Sequence, residues 1–204
     1  MATSAANIYI SNMTEDIWDY FRFLVDPETL NFERHGNACL AERDLFCFGS
    51  HEKMTFVLPR KVNPEFMKYF DSVFGNRDYR FIVPPEHSGS VCSDVLKNKA
   101  CLEALHEACA STPNCNMAAY SSSNQFFELV DTLRNRGLKV AASESPLDTA
   151  RWTRGFFGSK TGIRQLISRL QARGNSFCMA DGWIAANPAQ AAEIAASVYS
   201  DKGA

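Results

Sequence analysis

Two rhythms of apolar and polar residues alternate along the chain. Short apolar runs at Asn7–Ile10, Leu45–Phe48, Thr55–Leu58, Arg80–Val83, Asn116–Tyr120 and Leu138–Ala142 predict strands, and most of them stop at Ser, Asn or Pro. Longer stretches between them repeat every three or four positions and predict helices. Thr14–Val25 (TEDIWDYFRFLV) starts on a capping residue with two acidic residues in its first turn. In V-N-P-E-F-M-K-Y-F-D-S-V-F-G, Asn63 suits the cap, Pro64 the first helical position and Gly75 the stop. Phe66, Met67, Phe70, Val73 and Phe74 fall on one face of that helix. A third helix is predicted over Ser93–Ala110, with Leu96, Leu102 and Leu105 inward. A fourth starts at Ser121-Ser122-Ser123, buries Phe126, Phe127, Val130 and Leu133, and ends at Gly137.

Strand–helix–strand spacing of this kind is the signature of βαβ units around a parallel sheet. The expected fold for residues 1–145 is therefore α/β: a three-layer, Rossmann-like domain with a mostly parallel sheet. After residue 145 the rhythm changes. Pro146, Gly155 and Gly158 with Trp152 and two phenylalanines suggest a crossing segment. Residues 159–173 predict an amphipathic helix with Ile163, Leu166, Ile167 and Leu170 on one face. A short strand at Ser176–Met179 and a helix capped by Asn187 with Pro188 at its first position complete residues 146–204.

A chain of 204 residues buries roughly 70% of its unfolded surface, enough for a substantial core. Its 46% hydrophobic and 22% charged residues exclude disorder and fibrous repeats. With 21 basic and 23 acidic residues the net charge is −2, which argues against a nucleic-acid binder. No apolar run approaches the ~20 residues of a membrane helix, and the N-terminus lacks the pattern of a secretory signal. The expected location is cytoplasmic. Seven scattered cysteines without a C-x-x-C pair fit reduced, partly buried thiols better than zinc or a disulfide scaffold.

Several motifs bear on chemistry. G-F-F-G-S-K-T-G at 155–162 is not a Walker A loop, because only two residues separate Gly155 from Gly158 and Ser159 precedes Lys160. It still brings Lys160 to a helix N-terminus, with Arg151, Arg154 and Arg164 nearby, as an anion site would. No dinucleotide fingerprint and no nucleophile elbow are present. Ser121, Ser122 and Ser123 lie at a strand-to-helix turn where a substrate carboxylate can meet hydroxyls, although capping alone accounts for serines there. His87 follows a strand end and can reach a cleft. His106 and Cys109, three apart on a helix, make a weak nucleophile pair without an orienting group.

The order of elements after residue 115 resembles the start of ATP-grasp ligases. It runs strand, Ser-rich turn, a helix ending L-R-N-R-G and the strand L-K-V-A-A, then G-S-K-T-G-I-R-Q-L-I-S-R-L and the N-P-A-Q-A-A-E helix. The stretch F-V-L-P-R-K-V-N-P-E-F-M-K-Y-F-D-S-V-F-G is similar to the pre-ATP-grasp part of the peptide-ligase branch that includes the pheganomycin-type ligase. The resemblance implies a pre-ATP-grasp domain at 1–145 and the first elements of an ATP-grasp domain at 146–204. It implies carboxylate–amine ligation through an acyl phosphate, with ATP and Mg serving the intact enzyme. Lys160, and less closely Arg164, match the positions that contact nucleotide phosphates. The second phosphate lysine and the magnesium carboxylates of that family have no counterpart here. The chain is therefore expected to be inactive alone and to bind no cofactor tightly. Its partners would be the remainder of the ligase in cis and a small carboxylate or amine substrate, met at Ser11–Met13, Pro84–Gly89 and Tyr120–Asn124. The alternative is a stand-alone Rossmann-like ligand-binding or interaction module.

Overall fold

Alternation of side chains along the strands dictates two buried faces, and the computed structural model, which describes residues 5–179 and 182–202, has both. The strands are β1 (Ala5–Ile10), β2 (Lys53–Val57), β3 (Asp78–Ile82), β4 (Asn114–Ala119) and β5 (Val140–Ala142). They form one sheet in the order β3-β2-β1-β4-β5, and every neighbouring pair is parallel. Ile8 stands opposite Thr55 on one side and Met117 on the other. Helices cover both faces, so residues 5–145 are a three-layer, Rossmann-like α/β unit.

Ile8 and Ile10 point to one face, where they join Met117, Phe126, Leu129 and Leu105 in the larger core. Helices α5 (Val91–Lys97), α6 (Lys99–Ala110) and α7 (Asn124–Asn135) supply its other half. Met54, Phe56 and Leu58 point the opposite way and pack with Leu45 and Phe70. Helices α3 (Asp44–Cys47) and α4 (Pro64–Phe74) close this second core, which is largely aromatic. Phe46 meets Phe66, Phe70 and Phe74 edge-on with ring centroids 5.5–5.6 Å apart, the arrangement the ring quadrupoles favour.

Several expectations need correction. Leu45–Phe48 is not a strand: a 3-10 turn at Ala41–Arg43 runs straight into α3, and Leu45 plugs the aromatic core from a helix. The first helix, α1 (Glu15–Phe21), stops four residues short of Val25, and Phe23 and Leu24 stand in solvent. Ser93–Ala110 is two helices, because Asn98 takes an extended backbone and its Oδ1 accepts from Cys101 N at 3.0 Å, capping α6. Helix α2 (Pro27–Leu40) was not anticipated, since its mixed polar face carries no clear apolar stripe. Asp26 nevertheless caps it by accepting from the Glu28 and Thr29 N–H groups. On α4, Val73 is exposed, so the apolar stripe is narrower than its spacing suggested.

The chain divides into two compact units, Met1–Ser145 and Pro146–Ala204. In the second, the segment expected to cross over carries α8 (Trp152–Phe157), followed by α9 (Lys160–Gln171) and α10 (Pro188–Lys202). The strand expected at Ser176–Met179 is not formed; those residues are irregular, held in part by Gln171 Nε2 donating to the Phe177 carbonyl. Met1–Ser4, Ala180, Asp181, Gly203 and Ala204 lie outside the described residues, so the chain end expected beyond the last helix does too.

Candidate ligand-binding edge

The sheet runs outward from β1 to β2 and β3, then returns across to β4 and β5. The direction of winding therefore reverses between β1 and β4. In open parallel sheets the crevice at such a reversal, beyond the strand C-termini, is where ligands sit. The loops that border it are Ser11–Thr14 after β1 and Tyr120–Ser123 after β4, with Val83–Ser90 after β3 beside them.

The floor of this crevice is filled by the protein's own anion. Glu15 is only 3% exposed, yet it is a carboxylate at the first position of α1. Its Oε1 accepts from Cys92 N at 2.6 Å and Ser90 Oγ at 2.9 Å; its Oε2 accepts from Ser123 Oγ at 2.5 Å and Asn12 Nδ2 at 2.7 Å. Cys92 N is one of the unpaired amides opening α5, so Glu15 serves as a capping anion for a neighbouring helix. Asn12 ties the two strand ends together: Nδ2 donates to the Ser121 carbonyl at 2.7 Å, and Oδ1 accepts from Ser121 N at 2.9 Å. A second carboxylate or a phosphate at this spot would face Glu15 at short range.

The three serines read as substrate contacts are all engaged by protein groups. Ser123 is the N-cap of α7, accepting from Phe126 N at 2.9 Å while donating to Glu15. Ser121 Oγ donates to Asp16, and Ser122 Oγ lies 2.8 Å from Ser145 Oγ. Thr14 sits where a helix cap was expected, but its hydroxyl donates to the Gly89 carbonyl at 2.9 Å and pins the β3 loop.

Below that loop lies the open part of the edge, a cleft of about 550 Å³ lined by Arg34, Glu86, His87, Asp94 and Lys97 among others. Asp94 organises it. Its carboxylate accepts from His87 Nδ1 at 3.0 Å, Ser88 N at 3.0 Å and Ser88 Oγ at 2.6 Å. Burial pushes the Asp94 carboxyl upward, but those donors outweigh it and hold the group below the ordinary carboxylate range. An ionised Asp94 can only accept, so the proton of a neutral His87 sits on Nδ1 and Nε2 is the ring's remaining acceptor. The cleft thus offers two cations, one exposed carboxylate and an oriented imidazole.

On the other face of β1 a third buried acid, Asp44, is 4% exposed. Burial pushes the Asp44 carboxyl up, opposed in part by the Ser11 and Tyr9 hydroxyls and by Arg43. Burial likewise raises Tyr9 far above the usual phenol range, with Asp44 adding to the effect.

In the second unit, Lys160 opens α9, and Ser159 caps that helix by accepting from Gly162 N at 2.9 Å. Arg164 lies one turn further on, the spacing that places two side chains on one helix face. Arg151 is ion-paired to Asp148 at 2.7 Å. His106 and Cys109 do not form a pair: the Cys109 sulfur lies 3.0 Å from that of Cys115 and is raised by that contact and by burial. Among the described residues no group of three metal-ligating side chains converges, and no helix is long and apolar enough to cross a membrane.

Sequence reasoning missed Glu15 and Asp94, and it placed Asn12 in the Ser11–Met13 loop without a role. Glu15 was read only as an acidic residue suited to the start of its own helix. The signal available was a run of polar residues, S-N-M-T-E-D, directly after a buried strand, where an α/β sheet gathers its ligand-edge groups.

Residues 52–134 match the family model of the Pre ATP-grasp domain. The matched stretch begins beside β2 and ends in the last turn of α7. It includes the Pro84–Ser90 loop, Asp94 and the Ser121–Ser123 turn, but neither β1 with Glu15 nor the second unit. No curated protein and no solved structure matches the chain.

Proposed function

We propose that this chain is the N-terminal, substrate-side part of an ATP-dependent carboxylate–amine ligase of the ATP-grasp type. The observation that carries the proposal is the pre-ATP-grasp match over residues 52–134, falling on a parallel sheet with an open C-terminal edge. The peptide-ligase branch is the narrower form of the same reading. The first unit forms one wall of the substrate cleft, and His87, Arg34 and Lys97 meet the small carboxylate or amine there. Ser121, Ser122 and Ser123 act by shaping the crevice, since their hydroxyls already hold protein partners.

ATP would supply the phosphoryl group that activates a substrate carboxylate in the intact enzyme. An exposed Lys160 at a capped helix N-terminus, with Arg164 one turn on, fits a phosphate. In the intact enzyme Lys160 would bind and orient phosphate while the remainder of the ligase held the magnesium, and the chain alone would not ligate.

A calorimetric titration of Mg-ATP into this chain and into Lys160→Ala tests the proposal. Millimolar binding that Lys160→Ala removes is expected. Micromolar binding would mean a complete nucleotide site and overturn the partial-enzyme reading; binding indifferent to Lys160→Ala would overturn the role of Lys160. A stand-alone interaction module is the second reading, favoured by the apolar groove of about 530 Å³ that Trp183, Ile194, Val198 and Tyr199 line in the second unit.

A further inference from the structure

Helix α2 places His35 and Cys39 four residues apart, hence on one face, and the loop after β2 adds Arg60 to them. Arg60 Nη1 donates to Cys39 Sγ, and His35 Nε2 lies 3.7 Å from the same sulfur. Arg60 Nε donates to the Lys61 carbonyl at 3.4 Å. The site is half-open: Cys39 and Arg60 are partly buried and His35 is exposed. A thiol reacts as its thiolate, and a cation on the sulfur with a base at its side is the surrounding that reactive cysteines share.

The other six thiols lack this combination. Cys92, Cys101, Cys109 and Cys115 are buried. Burial pushes Cys92 and Cys101 up, and for Cys92 the nearby Glu15 carboxylate adds to it. Cys47 and Cys178 are exposed, but neither makes a hydrogen bond to a cationic group among the described residues, and Cys47 follows the acidic Asp44 by three positions.

We propose that Cys39 is the reactive thiol of this protein, a modification site at which hydrogen peroxide forms a sulfenic acid. The thiol proton passes to His35 Nε2, and Arg60 holds the resulting thiolate. The sulfur lone pair attacks one peroxide oxygen; the S–O bond forms as the O–O bond breaks. The departing hydroxide takes up a proton and leaves as water. Sulfur is oxidised by two electrons and peroxide is reduced by the same two.

The test exposes the full chain to substoichiometric hydrogen peroxide at neutral pH with dimedone as the trap, then digests it and quantifies each cysteine peptide. Cys39 should label about tenfold or more ahead of Cys47 and Cys178, the exposed thiols that serve as internal references. Arg60→Gln should remove most of that lead, His35→Gln part of it, and urea all of it. A variant that had lost its fold would betray itself by labelling at Cys92 and Cys115. Equal labelling of Cys39 and Cys47 in the native chain, or a lead unchanged in a folded Arg60→Gln variant, would overturn the proposal.

Discussion

Glu15 and Asp94 are carboxylates that the fold has withdrawn from water, and each is tolerated because it is fully supplied with donors. Removing the acceptor is therefore worse than removing a donor. Glu15→Ala leaves the amide of Cys92 and three side-chain donors without their partner, a loss of about 3 kcal/mol or more. Glu15→Gln should cost less, since one oxygen still accepts, but its amide N–H turns against donors on the other side. Urea unfolding of both variants checks the order; a Glu15→Ala variant as stable as the parent would show that water replaces the carboxylate without loss. Asp94 adds a pH signature. Its folded carboxyl lies below its unfolded value, so its contribution is present above about pH 4 and is lost as pH falls through the folded value. Asp94→Asn should cost about 2 kcal/mol at neutral pH. The gap from the parent should shrink in melts below about pH 4. A gap that stays the same size down to pH 3 or so would mean the carboxylate charge is not what anchors the loop.

At the scale of elements, what holds the cleft is how loops are fastened to helices. Gly89 has φ 105°, and a Cβ there would come within about 2.0 Å of the Trp18 indole, against which the β3 loop is laid. Gly137 also has positive φ, 89°, but a Cβ there would meet nothing within 4 Å. Gly89→Ala should thus cost roughly 3 kcal/mol or more through strain and clash together. Gly137→Ala should cost only roughly 1 kcal/mol from the backbone. Thermal melts of the pair separate the two contributions, and equal losses would mean that Trp18 moves aside freely. The same contrast explains which elements were legible. Strands β1, β2 and β4 and helices α4 and α7 announced themselves because apolar period and capping residue agreed, as at Asn63 and Ser123. The run Leu45–Phe48 misled because four apolar residues fit a buried strand and a buried helical turn equally well. Helix α2 was invisible to periodicity, and with it went the His35–Cys39 spacing. Asn98 reads as an ordinary helical residue, yet its backbone is extended and its side chain caps α6.

For the whole molecule, the ligand edge was legible as a place and not as chemistry. The βαβ rhythm located the loops at Ser11–Met13, Pro84–Gly89 and Tyr120–Asn124. That the carboxylate opening α1 would plug the crevice depends on three loops meeting, which no local pattern records. Stability is distributed as unevenly as legibility. Both hydrophobic cores lie within residues 1–145, whereas Gly162 is the one buried position among the described residues of the second unit. Trp152, Trp183 and Tyr199 are each more than half exposed. A helix stabilised by little tertiary burial is marginal, since nucleation is costly and propensity alone is weak. Amide hydrogens of β1, β4 and α7 should therefore exchange only through global unfolding, while those of α9 and α10 exchange by local opening, faster by orders of magnitude. If the second unit is the start of an ATP-grasp domain, joining the chain to the remainder of the ligase should raise α9 and α10 protection and leave the sheet unchanged. Protection of α10 equal to that of α7 in the chain alone would contradict this division, because it would require apolar burial that the described residues of the second unit do not show.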